Sequence, residues 1–141
     1  MAHPQALRYK KIDLNGTLEI WGNILDGIEK DKTDPRINVK IDYNREDLLM
    51  WAMEHFERME GKVLPTCNGR QICNAFQSAI ALTSYDRVKR IRKLKFTEEQ
   101  ALLSKNPKLK KITLTETHFN DVSKIVQEFE DYCGYPLKLL N

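Results

Sequence analysis

Apolar residues recur along this chain at intervals of three and four, and that spacing predicts helices. After Asp13, a capping residue, Leu14, Leu18, Trp21, Leu25 and Ile28 share one stripe, with Ile24 beside it. Gly16, Gly22 and Gly27 weaken this helix, each by about 1 kcal/mol relative to alanine, so it depends on the packing of Leu18 and Trp21. The run from Asp31 to Pro35 breaks the pattern. Ile37, Val39 and Ile41 then alternate with polar residues, which predicts a short extended segment at most. A second helix is predicted over 45–59, with Leu48, Leu49, Ala52, Met53, Phe56 and Met59 on its inner face. Gly61 is placed to end it, and Pro65 marks the loop that follows.

A third helix is predicted to open at Asn68, with Ile72, Ala75, Phe76, Ala79, Ile80 and Thr83 turned inward, and to run past Val88 toward Ile91. Thr97 and Gln100 have the spacing of a capping box for a short helix that stops near Asn106 and Pro107. The segment 87–111 reads as a mobile basic insertion. It begins with Arg87, Lys89, Arg90, Arg92, Lys93 and Lys95 and closes with Lys108, Lys110 and Lys111. A last helix starts near Thr115, with Phe119, Val122, Ile125, Val126, Phe129 and Tyr132 as its apolar stripe. Gly134 stands at its end and Pro136 blocks continuation. Residues 6–12 alternate weakly and read as the tail of a strand whose sheet lies elsewhere. The expected fold is all-α, a small four-helix bundle, with short strands at the entry and near 37–41.

Composition narrows this picture without changing it. The chain has 141 residues, 41% hydrophobic and 30% charged, enough for one modest core. Its 23 basic and 20 acidic residues leave a net charge of +3, which does not by itself imply nucleic acid. Three cysteines, Cys67, Cys73 and Cys133, form no metal-binding pair and no disulfide framework, and no hydrophobic leader precedes them. The expectation is an intracellular protein with no metal site and no membrane segment.

The chemistry begins with absences. There is no G-x-x-x-x-G-K-[ST] loop to wrap phosphates and no nucleophile–base arrangement, so no catalytic residue is expected in this chain. His55 and His118 read as surface or core-edge histidines, and Trp21 and Trp51 as core residues. Asn68-Gly69-Arg70 allows two readings. One is an ordinary capped helix with a solvent-facing arginine. The other is an arginine aimed at a bound phosphate from an anion-favouring helix start, with Gly69 letting a planar ligand approach the backbone. The run Arg87, Lys89, Arg90, Arg92, Lys93 and Lys95 likewise reads either as a solvated helix extension or as a contact for an acidic partner or nucleic acid. Only Tyr85 and Phe96 flank it, which argues against a stacking platform.

Several stretches together resemble the C-terminal lid subdomain of AAA+ ATPases, those of filamentous fungi in particular. They are Asn68-Gly69-Arg70-Gln71-Ile72, then Asn74-Ala75-Phe76-Gln77, then Ala79-Ile80-Ala81-Leu82. In order with these, residues 7–13 look like the last core strand and its turn, residues 17–21 like the first lid helix, and 118–132 like the final one. The likeness spans about residues 6–134. Lys10 and Lys11 stand where the family usually has prolines, and Cys73 where it often has a second basic residue.

The resemblance implies an entry segment (1–12), a helical lid (13–134) and a tail (135–141). It implies a lid that closes over ATP, with magnesium held by a core outside this chain, and that couples hydrolysis to subunit movement. Arg70 would serve as the phosphate sensor, with Asn68 and Gly69 beside adenine or ribose. The implied partners are the ATPase core and neighbouring subunits of a ring. The chain alone is expected neither to hydrolyse ATP nor to bind it tightly. The alternatives are a stand-alone protein-interaction module derived from such a lid and, less favoured, a nucleic-acid-binding helical domain.

Overall fold

In a computed structural model, residues 12–60 and 69–132 are described, with side chains as far as residue 126. The expected entry strand, the Asn68 cap, the Gly134 helix end and the tail lie outside the described residues, as do the side chains of Phe129 and Tyr132. The described chain is mostly helical. Its elements run α1 (Leu14–Asp31), β1 (Lys40–Tyr43), α2 (Arg45–Met59), α3 (Gly69–Lys93), the short α4 (Glu98–Leu103), a 3-10 turn (Pro107–Leu109), β2 (Lys111–Leu114) and α5 (Glu116–Tyr132).

Local chemistry sets most boundaries. The Gly16 N–H donates to Asp13 Oδ1 at 2.7 Å and starts α1; the Asp47 N–H donates to Asn44 Oδ1 at 3.0 Å and starts α2. The capping box of α4 is formed: the Gln100 N–H donates to Thr97 Oγ1, and the Thr97 N–H to Gln100 Oε1. At α5 a histidine takes the place that Gln100 has in that arrangement, with His118 Nδ1 accepting from the Thr115 N–H at 3.0 Å.

The helix starts and ends sort to opposite poles. Ile20 lies beside Gly69 and Trp21 packs on Phe76, so the first half of α1 lies along the start of α3. Their later turns reach the strands, where Tyr43 Oη donates to Leu25 O and Thr83 Oγ1 to Thr113 O. From the strands α2 and α5 run back. Where the four helices pass one another sits an aromatic core: Trp21 lies with ring centroids 4.7 Å from Phe76, 4.8 Å from Phe119 and 5.7 Å from Trp51. Leu25, Ile28, Leu48, Ala52, Ile72, Ala79 and Leu114 complete its buried part. The half-buried Trp51 keeps its indole N–H satisfied by Asn120 Oδ1 at 2.7 Å.

Three expectations change. The extended segment near 37–41 falls at 40–43 and pairs in parallel with β2, from Lys40 against Lys111 to Tyr43 against Leu114. The periodicity of Lys111–Leu114 is too short to announce that strand. Met53, Ile125 and Val126, read as inner-face residues, are exposed. And the basic segment is built into the fold rather than inserted between its elements. Its first seven residues continue α3, and Ile91, Ala101 and Leu109 form a second small core that holds α4 and the 3-10 turn against the end of α3.

Candidate functional site

The candidate site is the start of α3. Its inner face is fixed by Ile72 and Phe76, both buried in the main core, which leaves Arg70, Gln71, Cys73 and Asn74 exposed on the outer face. No acidic residue lies in the first turn, so nothing on the helix itself neutralises its positive end. Arg70 is exposed and forms no ion pair or hydrogen bond with a described residue. Gly69 is half-buried against α1. A Cβ placed there would lie 3.5 Å from Ile20 Cδ1, an ordinary contact, so packing among the described residues does not require glycine. Asn68 lies outside the described residues.

The basic run divides. Arg87 leaves the group of solvent-facing cations. It is only 6% exposed, with Nε donating to Leu109 O at 2.7 Å and Nη2 to Glu98 Oε1 at 2.7 Å. The four-residue spacing from Thr83 through Arg87 to Ile91 turns position 87 toward the small second core, and the bonds to Leu109 and Glu98 satisfy the guanidinium there. Lys89, Arg90, Arg92, Lys93 and Lys95 stay exposed. Lys89 pairs with Asp86 at 3.4 Å, and Arg90 reaches the Lys108 carbonyl at 3.4 Å. These cations lie at the far end of α3 from Arg70, so the two predicted groups do not form one site.

The histidines have structural partners. His118 caps α5, and its Nε2 lies 4.0 Å from Asp86 Oδ2. His55 packs edge-on against Trp51, with centroids 4.7 Å apart, and its buried Nδ1 has no partner among the described residues. Burial, helped by the Arg58 charge, pushes its pKa down to about 4. Among the described residues no cluster of His, Cys, Asp and Glu could hold a metal, and no helix is long and apolar enough to cross a membrane.

Sequence reasoning missed two features. One is the inward role of Arg87, whose only signal was its place on the same helical face as Thr83 and Ile91. The other is the outer stripe of α2, Glu46, Met50, Met53 and Glu57, whose spacing of four, three and four was readable but was assigned in part to the core.

Residues 12–135 match a family model described as the fungal AAA+ ATPase lid domain. Searches of curated proteins and of solved structures each returned no match.

Proposed function

The chain belongs to that lid family, and from this premise we propose that it covers ATP held by an associated ATPase core, with Arg70 meeting the terminal phosphates. The observation that carries the reading is the start of α3: an exposed arginine with no partner among the described residues, on a helix end that carries no acid in its first turn. The donor set fits a triphosphate. The guanidinium offers paired donors to phosphate oxygens, and the first-turn N–H groups favour negative charge. ATP, with magnesium on the core, would supply the phosphoryl group. This chain's part is to bind, to exclude water and to move as a unit. Gly69, which packing among the described residues does not require, fits close approach of a flat base or ribose to the backbone.

Coupling follows from the packing. Ile72 and Phe76 tie the Arg70 turn to Trp21 on α1 and Phe119 on α5, so a pull on Arg70 displaces all three helices together. The exposed free thiol of Cys73 suits a reducing compartment.

The test uses the complete ATPase. Arg70→Ala removes a charge-assisted bidentate contact, so nucleotide affinity or turnover should fall by about tenfold or more. Arg70→Lys should recover part of it, because lysine keeps the charge and loses the planar fork. Affinity and turnover both unchanged in Arg70→Ala would leave Arg70 a surface residue.

A further inference from the structure

The end of α3, α4 and the 3-10 turn form a tip that has no part in the contact with ATP. Within residues 92–108 stand five cations, Arg92, Lys93, Lys95, Lys105 and Lys108, against two carboxylates, Glu98 and Glu99. Glu98 is already held by the inward-turned Arg87. All five cations are exposed, and none has a carboxylate partner among the described residues. By contrast Arg36, Arg45, Lys89 and Lys111 each pair with an acid.

Apolar side chains stand among these cations. Leu94 and Phe96, 50% and 39% exposed, flank Lys95 in the left-handed turn that ends α3, and Leu103 closes α4 at 83% exposed. α4 has six residues and is about 9 Å long, so Leu103 stays close to that turn. A leucine exposed to this degree protrudes from the surface instead of lining a groove. The tip is ordered before any partner arrives. Ile91, Ala101 and Leu109 give it a core of its own, Arg87 ties α3 to Leu109 and Glu98, and the Thr97 capping box fixes the start of α4.

We propose that this tip docks on a membrane surface rich in anionic lipid. Phosphate and carboxylate headgroups meet the five cations, whose long stems let the charges lie at headgroup level while Leu94, Phe96 and Leu103 enter the acyl boundary. Nucleic acid matches only the charge: its phosphates would leave Leu94 and Leu103 in water, and Phe96 alone makes no stacking platform. The contact is peripheral, since no helix among the described residues is long and apolar enough to cross a membrane. α3 has 25 residues and is about 37 Å long, with Arg70 at one end and the tip at the other, so docking leaves Arg70 clear of the bilayer. The proposal does not depend on Arg70.

Vesicle co-sedimentation of the 141-residue chain tests it. Binding is expected to phosphatidylcholine vesicles that contain about 30% phosphatidylserine, at about 50 mM salt. It should weaken about tenfold or more at about 500 mM salt, and likewise on phosphatidylcholine alone. Three doubly substituted chains follow, each checked by circular dichroism for retained helix. Arg92→Glu with Lys93→Glu should raise the lipid needed for half-binding about tenfold or more. Lys30→Glu with Lys124→Glu makes the same change of net charge at exposed positions off the tip, and should leave that figure within about threefold. Leu94→Ser with Leu103→Ser keeps every charge and should weaken binding about tenfold. No binding to the anionic vesicles overturns the proposal, and that result needs no variant. So do equal losses in the two charge-reversed chains, leucine substitutions without effect, equal binding to both kinds of vesicle, and retardation of an oligonucleotide by a chain that ignores the vesicles.

Discussion

Lys95 has φ 59°, the left-handed conformation that glycine adopts without cost and other residues adopt at about 1 kcal/mol or more. It occupies the position that ends α3: the Phe96 N–H donates to Ile91 O and the Lys95 N–H to Arg92 O. Lys95→Gly should therefore raise stability by about 1 kcal/mol and the melting temperature by a few degrees. Calorimetry checks this, and a lowered melting temperature would contradict it. His55 makes the second case. Its folded-state pKa of about 4 lies below the ordinary 6.5, so the unfolded chain takes up a proton first as pH falls. Its contribution is fully present above pH 6.5 and is lost progressively as pH drops toward 4. The loss reaches at most about 2 kcal/mol, because solvent still reaches part of the ring. His55→Phe keeps the edge contact with Trp51 and removes the titrating group, so urea midpoints at pH 7 and pH 5 should differ less than in the parent chain. Both histidines were legible as surface or core-edge residues from their place on a helix. The left-handed lysine was not, because that helix end lacks the glycine that ordinarily announces it.

Among the elements, the tip depends most on one side chain. Arg87 joins α3 to the carbonyl of Leu109 and to the carboxylate of Glu98. Arg87→Ala leaves the Leu109 carbonyl without its buried donor and opens space beside Ile91, and should cost about 2–3 kcal/mol. Arg87→Met refills the space and should recover part of that loss. Urea denaturation gives the totals, and amide exchange should show the loosening concentrated over 98–109. Equal exchange across the chain would mean that Arg87 does not hold the tip in particular. The elements themselves were largely readable. The α2 span of 45–59, the Asp13 cap and the Thr97 capping box follow from side chains within four residues of the helix end. β2 was not readable: four residues give too little alternation, and its partner lies beyond three intervening helices.

At the scale of the molecule, the fold puts the first half of α1 and the start of α3 at one pole and the strands at the other. Arg70 is therefore presented at the pole away from the basic tip. A lid that contributes one arginine and a helix end supplies a small part of a triphosphate site, since positioning and charge neutralisation come from several groups acting together. Titration of ATP into this chain alone should show binding weaker than micromolar, and micromolar affinity would contradict a lid that needs its core.

The span of α2, the Asp13 and Thr97 caps and most of the inward residues of α1 and α3 were set by the sequence itself, because periodicity and capping act over one or two turns. Which neighbour covers each stripe is a long-range matter. Only the tertiary structure decided that Arg87 turns inward while Arg92 and Lys93 stay out, that Met53 and Ile125 face solvent, and that Lys40–Tyr43 pairs with Lys111–Leu114. A period fixes the face on which a residue lies, and only the packed neighbours fix whether that face is buried.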